Sequence, residues 1–185
     1  SLIWMWEISP SMTILPVIIA PDPRLKIICP SIDDVDDDVR RLMDDMVETM
    51  YRVPGIGLAA PQVGVHKRII VVDTTGKDEN SAPMRLANPE LICSSDELST
   101  YEEGCLSLPN HYAEVTRPNQ VRIRYLDYDG EIRETEAEGV LATCIQHEMD
   151  HLDGILFVDH ISSLKRGIIL RKLAKSKRAK AKAST

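Results

Sequence analysis

No apolar run in this 185-residue chain reaches the ~18 residues needed to cross a bilayer. Nor is there a disulfide pattern. Cys29, Cys93, Cys105 and Cys144 stand at irregular spacings, as reduced thiols or metal ligands of a cytoplasmic protein do. No Lys or Arg precedes Arg24, and Glu7 interrupts the greasy N-terminal stretch, so the basic start of a signal peptide is missing. No repeat and no linker divides the chain, and 43% apolar residues suffice for one sizeable core. A single domain over 12–164 is expected, with 165–185 as its basic helical tail. Residues 1–11 hold both tryptophans, Trp4 and Trp6, and read as an expression scar or a mis-called start, with Met12 the natural beginning.

Acid is absent from the tail. Nine of the 22 basic residues lie from Lys165 onward, leaving 13 against all 29 acids, a net charge of −16 on 1–164. A cationic helix on an acidic body either neutralises its own domain or docks on a polyanion such as nucleic acid.

Ser31, followed by an acidic turn, reads as a helix N-cap. Val39, Leu42, Met43, Met46, Val47 and Met50 recur at helical spacing, burying one face of a helix to about Arg52, with Pro54 and Gly55 ending it. Gly55-Ile56-Gly57-Leu58-Ala59-Ala60-Pro61-Gln62 is a small-residue loop that lacks the Lys-Ser/Thr of a phosphate loop. Arg68–Thr74 reads as a buried strand, 77–83 as a polar loop, Arg85–Cys93 as a shorter strand pair, and Glu102–Pro109 as a turn-and-strand unit. Val121–Asp127 and Glu131–Glu138 form a hairpin about Asp129-Gly130. Gly139 opens a second helix with a mostly apolar surround, Val140 included, that Gly154 stops. A last helix runs from about Ser163, with Leu164, Ile168 and Leu173 as its inner face. Cys29 and Cys93 are expected in the core. The fold class is α+β: small antiparallel sheets around a central helix, with N- and C-terminal helices.

On that central helix, His147 and His151 lie four residues apart, so both imidazoles leave one face and can grip one cation. Glu148 between them is placed to act on water. The third ligand is not downstream: position 157 is Phe where one protease class needs His, and no Glu follows Glu148. A three-ligand site therefore needs an upstream donor, for which thiolate is the strongest candidate. Cys144 shares the helix with both histidines, and ligands from one helix face point nearly parallel. Convergence favours Cys105 from the Glu-Gly-Cys-Leu-Ser turn, with Cys144 lining the pocket wall. Were both cysteines bound, the result would be a closed Cys2His2 zinc module whose basic tail binds RNA, leaving Glu148 without a role. Glu103 is expected to pair with Arg117, and Asp150 to support the site from off the metal face.

These three segments resemble peptide deformylase of the bacterial type 1 branch. Gly55–Gln62 matches the first family motif, Glu103-Gly104-Cys105-Leu106-Ser107 the second and Gln146-His147-Glu148-Met149-Asp150-His151 the third, with the likeness running from about Leu15 to Lys182. The resemblance implies a metal-dependent hydrolase removing the N-formyl group from the initiator methionine of nascent polypeptides, with release of formate. It implies Cys105, His147 and His151 as ligands of Fe(II), with zinc, nickel or cobalt able to substitute. Glu148 is then the general base and acid, and the Gln62 side chain and Leu106 N–H are the oxyanion donors. Gly57 and the Ile56 backbone would pair with the peptide as an added strand. Ile56, Tyr101, Val140, Thr143 and Cys144 would form the methionine slot. The C-terminal helix would contact the ribosome. One departure stands out: Tyr112 occupies the position where many members carry an arginine near the substrate backbone.

Overall fold

The computed structural model describes residues 13–53, 55–75 and 80–185. The expectations for residues 1–11, for Pro54 and for residues 77–79 of the 77–83 loop lie outside them. The elements are α1 (Asp37–Arg52), β1 (Gly57–Ala59), β2 (Ile69–Val72), β3 (Met84–Ser94), β4 (Leu98–Cys105), β5 (Leu108–Pro118), β6 (Gln120–Leu126), β7 (Ile132–Glu138), α2 (Gly139–Leu152) and α3 (Ser163–Ala183). A five-stranded sheet runs β1-β2-β3-β6-β7, and β4 and β5 make a second, two-stranded sheet. Every pairing is antiparallel. This is the expected α+β class. No described helix is long and apolar enough to cross a membrane.

The uninterrupted Ile-Ile-Val-Val of β2 has a packing cause. Ile69 and Val71 face Met43, Met46 and Met50 of α1, whereas Ile70 and Val72 join Ala142, Ile145 and Leu152 of α2. A strand covered on both faces has no polar side to alternate. Each such side chain, fully buried, contributes roughly 1.5–3 kcal/mol. A third cluster gathers Leu25, Leu108, Val115, Phe157 and Leu173. Helix α2 touches strands of both sheets.

Several expectations are corrected. Asp36, not Ser31, caps α1: its Oδ1 accepts from Val39 N at 2.8 Å, which leaves Asp37 and Asp38 to meet the dipole from inside the first turn. The Arg85–Cys93 pair is one strand of 11 residues, β3. Asn88, at φ +48°, and two register shifts against β6 break its periodicity, so it read as two. The turn unit at Glu102–Pro109 is the tip of a long β4–β5 hairpin. On α3 only Leu173 is buried. Leu164 and Ile168 face outward, and Ile169 and Leu170 pack partly instead, which rotates the inner face by about one residue. Val140, expected in the helix surround, is half-exposed. Cys93, expected in the core, is exposed at the outer end of β3, while Cys29 is buried.

Candidate active site

Helix α2 brings His147 and His151 to one face, as their spacing requires. The β4–β5 turn delivers Cys105 against them from the other sheet. One ligand atom from each of Cys105, His147 and His151 lies within 4.8 Å of the others. Cys105 Sγ stands 3.3 Å from His151 Nε2. One thiolate and two imidazoles converging from two elements are a donor set that could hold a borderline divalent ion. Cys144 is not in this group. Its thiol lies 3.4 Å from the Ile56 carbonyl, and burial keeps it protonated. The closed Cys2His2 alternative is therefore unsupported.

Glu103 anchors the site. Its carboxylate accepts from Arg117 Nε at 2.8 Å and Nη2 at 3.0 Å, and from His147 Nδ1 at 2.9 Å. That bond leaves His147 Nε2 on the side of Glu148, 3.9 Å from its Oε1. Burial works against the Glu103 charge, but these hydrogen bonds outweigh it and hold the carboxyl down at about 2. For His147 burial likewise disfavours charge, yet Cys105 and Glu103 prevail and raise it well above the ordinary histidine value. His151 goes the other way, lowered by burial and by His147 and Arg117.

Glu148 is buried, and its Oε2 has no hydrogen-bond partner. Burial pushes it up to about 7, the range in which a carboxyl can both take and give a proton. Gly57 makes room for it: a Cβ there would stand 2.7 Å from Glu148 Oε1 and 2.9 Å from Cys144 Sγ. Gln62, also buried, is locked through Oε1 by the Ala59 N–H at 2.9 Å. Its Nε2 therefore points at Cys105 Sγ (3.3 Å) and Ser107 Oγ (3.1 Å).

A cavity of about 560 Å³ opens onto this cluster. Ile56, Gly57, Tyr101, Leu106, Val140, Thr143 and Cys144 all line it, together with Cys105, His147 and Glu148. Gln62 and His151 stand behind that lining. Ile56 and Val140 are half-exposed at the mouth. The Tyr112 ring covers Gly104, where a Cβ would come within 2.6 Å of it. Sequence reasoning missed Ser107, although it lies within the Cys105 motif, and it missed the Glu103–His147 bond. It also missed the pairing of Asp150 Oδ2 with Arg117 and His160, for which the sequence carries no signal.

Fold and site together define an α+β protein whose H-E-x-x-H helix and facing cysteine form a candidate metal centre. The sequence profile of polypeptide deformylase matches residues 14–167, and the chain belongs to that family. It is 56% identical over 168 residues to the peptide deformylase of Methylocella silvestris, covering 89% of this chain and 86% of the relative. With that of Rhizobium meliloti it shares 53% over 173 residues, covering 92% and 99%. The crystal structure of peptide deformylase from Ehrlichia chaffeensis superposes with a TM-score of 0.86 at 38% identity, covering 91% of this chain and 99% of that one. A second structure from that organism, in complex with actinonin, gives 0.85 at 40% identity, covering 90% and 99%. This chain is accordingly an enzyme.

Proposed function

We propose that this enzyme removes the N-formyl group from formyl-methionyl nascent peptides, releasing formate and a free amine. The observation that carries the reading is the placement of Glu148: buried on the cavity floor, one oxygen unpartnered, beside Cys105, His147 and His151. These three would hold one divalent ion, Fe(II) in the native enzyme, with zinc, nickel or cobalt able to replace it. When bound, the ion supplies Lewis acidity that brings water within reach of deprotonation near neutral pH.

Glu148 takes the proton of the attacking water and later hands it to the departing amine; its raised affinity for protons suits both transfers. Gln62 Nε2 and the Leu106 N–H stabilise the negative charge that develops on the formyl oxygen, each worth roughly 2.7–4 kcal/mol of barrier. Ala59 keeps the Gln62 amide from flipping, so the donor is set before substrate arrives. β1 is an edge strand at the cavity, and its open side with Gly57 accepts the peptide as a further strand. Ile56, Tyr101, Val140, Thr143 and Cys144 form the slot for the methionine side chain. The nine cations on α3 dock the enzyme on the ribosome.

Formate release from formyl-Met-Ala-Ser by anaerobically prepared protein tests the reaction. Glu148→Ala is expected to keep its metal and lose roughly 100- to 10,000-fold in kcat; near-normal release would sink the mechanism. Cys105→Ser should lose metal and Cys144→Ala should not. Salt-sensitive ribosome binding should disappear on truncation after Arg166.

A further inference from the structure

Behind His147 a run of bonded side chains leads out to the surface. His147 Nδ1 donates to Glu103, and Glu103 is gripped by Nε and Nη2 of Arg117. The remaining arm of that guanidinium, Nη1, reaches Asp150 Oδ2 at 2.8 Å. His160 Nε2 lies 2.7 Å from the same oxygen. Side-chain exposure rises along the run, from 5–8% at Glu103, Arg117 and His147 to 22% at Asp150 and 37% at His160. Five side chains from β4, β5, α2 and the turn Phe157–His160 thus share one network.

The arrangement is one-sided. His151, the other imidazole of the cluster, has a buried Nδ1 with no partner. His147 is therefore the ring of the pair whose far nitrogen is held, and Glu103 holds it. The two-point grip sets Glu103 in the guanidinium plane, and Asp150 holds the remaining arm of that plane. The Glu103 end is buried, whereas the Asp150 end is half-open to water and sits in the last turn of α2. Arg117 Nη1 and the His160 N–H thus hold Asp150 Oδ2 between them, His160 from the solvent side.

We propose that His160 is a positioning residue of the metal site, acting through Asp150, Arg117 and Glu103 to hold the His147 ring in its ligating pose. The proposal rests on the metal reading of Cys105, His147 and His151. Its test measures Co(II) affinity of the full chain by competition with a chromophoric chelator, alongside the visible absorption of the bound cobalt. His160→Phe keeps the ring volume and removes the donor; it is expected to weaken binding by about 10-fold, the lower end of the range for groups that support ligands from behind. His160→Gln restores an N–H donor and is expected to recover most of that affinity and the parent cobalt spectrum. Parent affinity in His160→Phe would overturn the proposal, and so would equal weakening in both variants, because loss of the hydrogen bond could not then be the cause. An unsubstituted chain that bound no cobalt would overturn the metal reading itself, and the two failures are thereby told apart.

Discussion

Removing the Glu103 carboxylate is the perturbation that most directly probes how this site is held. In Glu103→Ala, Arg117, itself buried, keeps Asp150 as its one carboxylate partner among the described residues, and His147 Nδ1 loses its acceptor. Breaking a buried pair by deleting one member costs about 3–5 kcal/mol, because the surviving charge stays desolvated. A second route reaches the same size: a carboxyl held at about 2 instead of 4.5 corresponds to about 3 kcal/mol of preference for the charged, folded form. For a chain of this length that translates to a melting temperature lower by roughly 6–20 °C. The sign with pH follows from the direction of the shift. A carboxyl depressed by folding contributes fully above 4.5 and progressively less as pH falls towards 2. The gap between parent and Glu103→Ala should therefore be widest near neutrality and narrow below pH 4.5. The assay is denaturant or thermal unfolding of the metal-free proteins, extended to Arg117→Met and the double variant. Coupling of about 0.5–3 kcal/mol is expected between the two positions. A Glu103→Ala protein within about 1 kcal/mol of the parent, or strict additivity with Arg117→Met, would refute the reasoning.

Gly57→Ala places a methyl 2.7 Å from Glu148 Oε1 and should displace the carboxylate, lowering kcat up to about 100-fold with metal content unchanged; parent kcat would show that Glu148 tolerates the shift. Gly154, at φ +72°, would set a Cβ 2.5 Å from the Lys26 carbonyl. Gly154→Ala should destabilise by about 1–3 kcal/mol or more in urea unfolding, and an unchanged midpoint contradicts this. Burial and a hydrogen bond to Asp73 push Tyr51 up to about 12. A phenol kept protonated by folding stabilises fully below pH 10 and loses that contribution as pH rises through 12. Parent and Tyr51→Phe should thus converge in stability at alkaline pH, and a constant gap would dismiss the Tyr51–Asp73 bond as its source.

Local pattern determined much of this protein. Four-residue spacing alone puts His147 and His151 on one helix face. Phe at position 157 and the lack of any Glu after Glu148 sent the third ligand upstream, and the fixed reach of a helix face preferred Cys105 over Cys144. The Met-rich stripe of α1 and the Asp129-Gly130 hairpin were legible for the same reason: their signals lie within a few residues. Apart from the Glu103–Arg117 pair, contacts distant in sequence were not. That Gln62 is aimed at Cys105 and Ser107, that Gly57 clears a space for Glu148, and that a buried Arg117 links His147 to His160 are products of packing. The same holds for β3, where Asn88 and the shifts against β6 hide one strand as two, and for α3, whose inner face is chosen by what Leu173 meets. Burial itself is the deepest case. A glutamate next to a histidine is an ordinary acid in a sequence, and only the closed floor beneath the cavity carries Glu148 up to about 7.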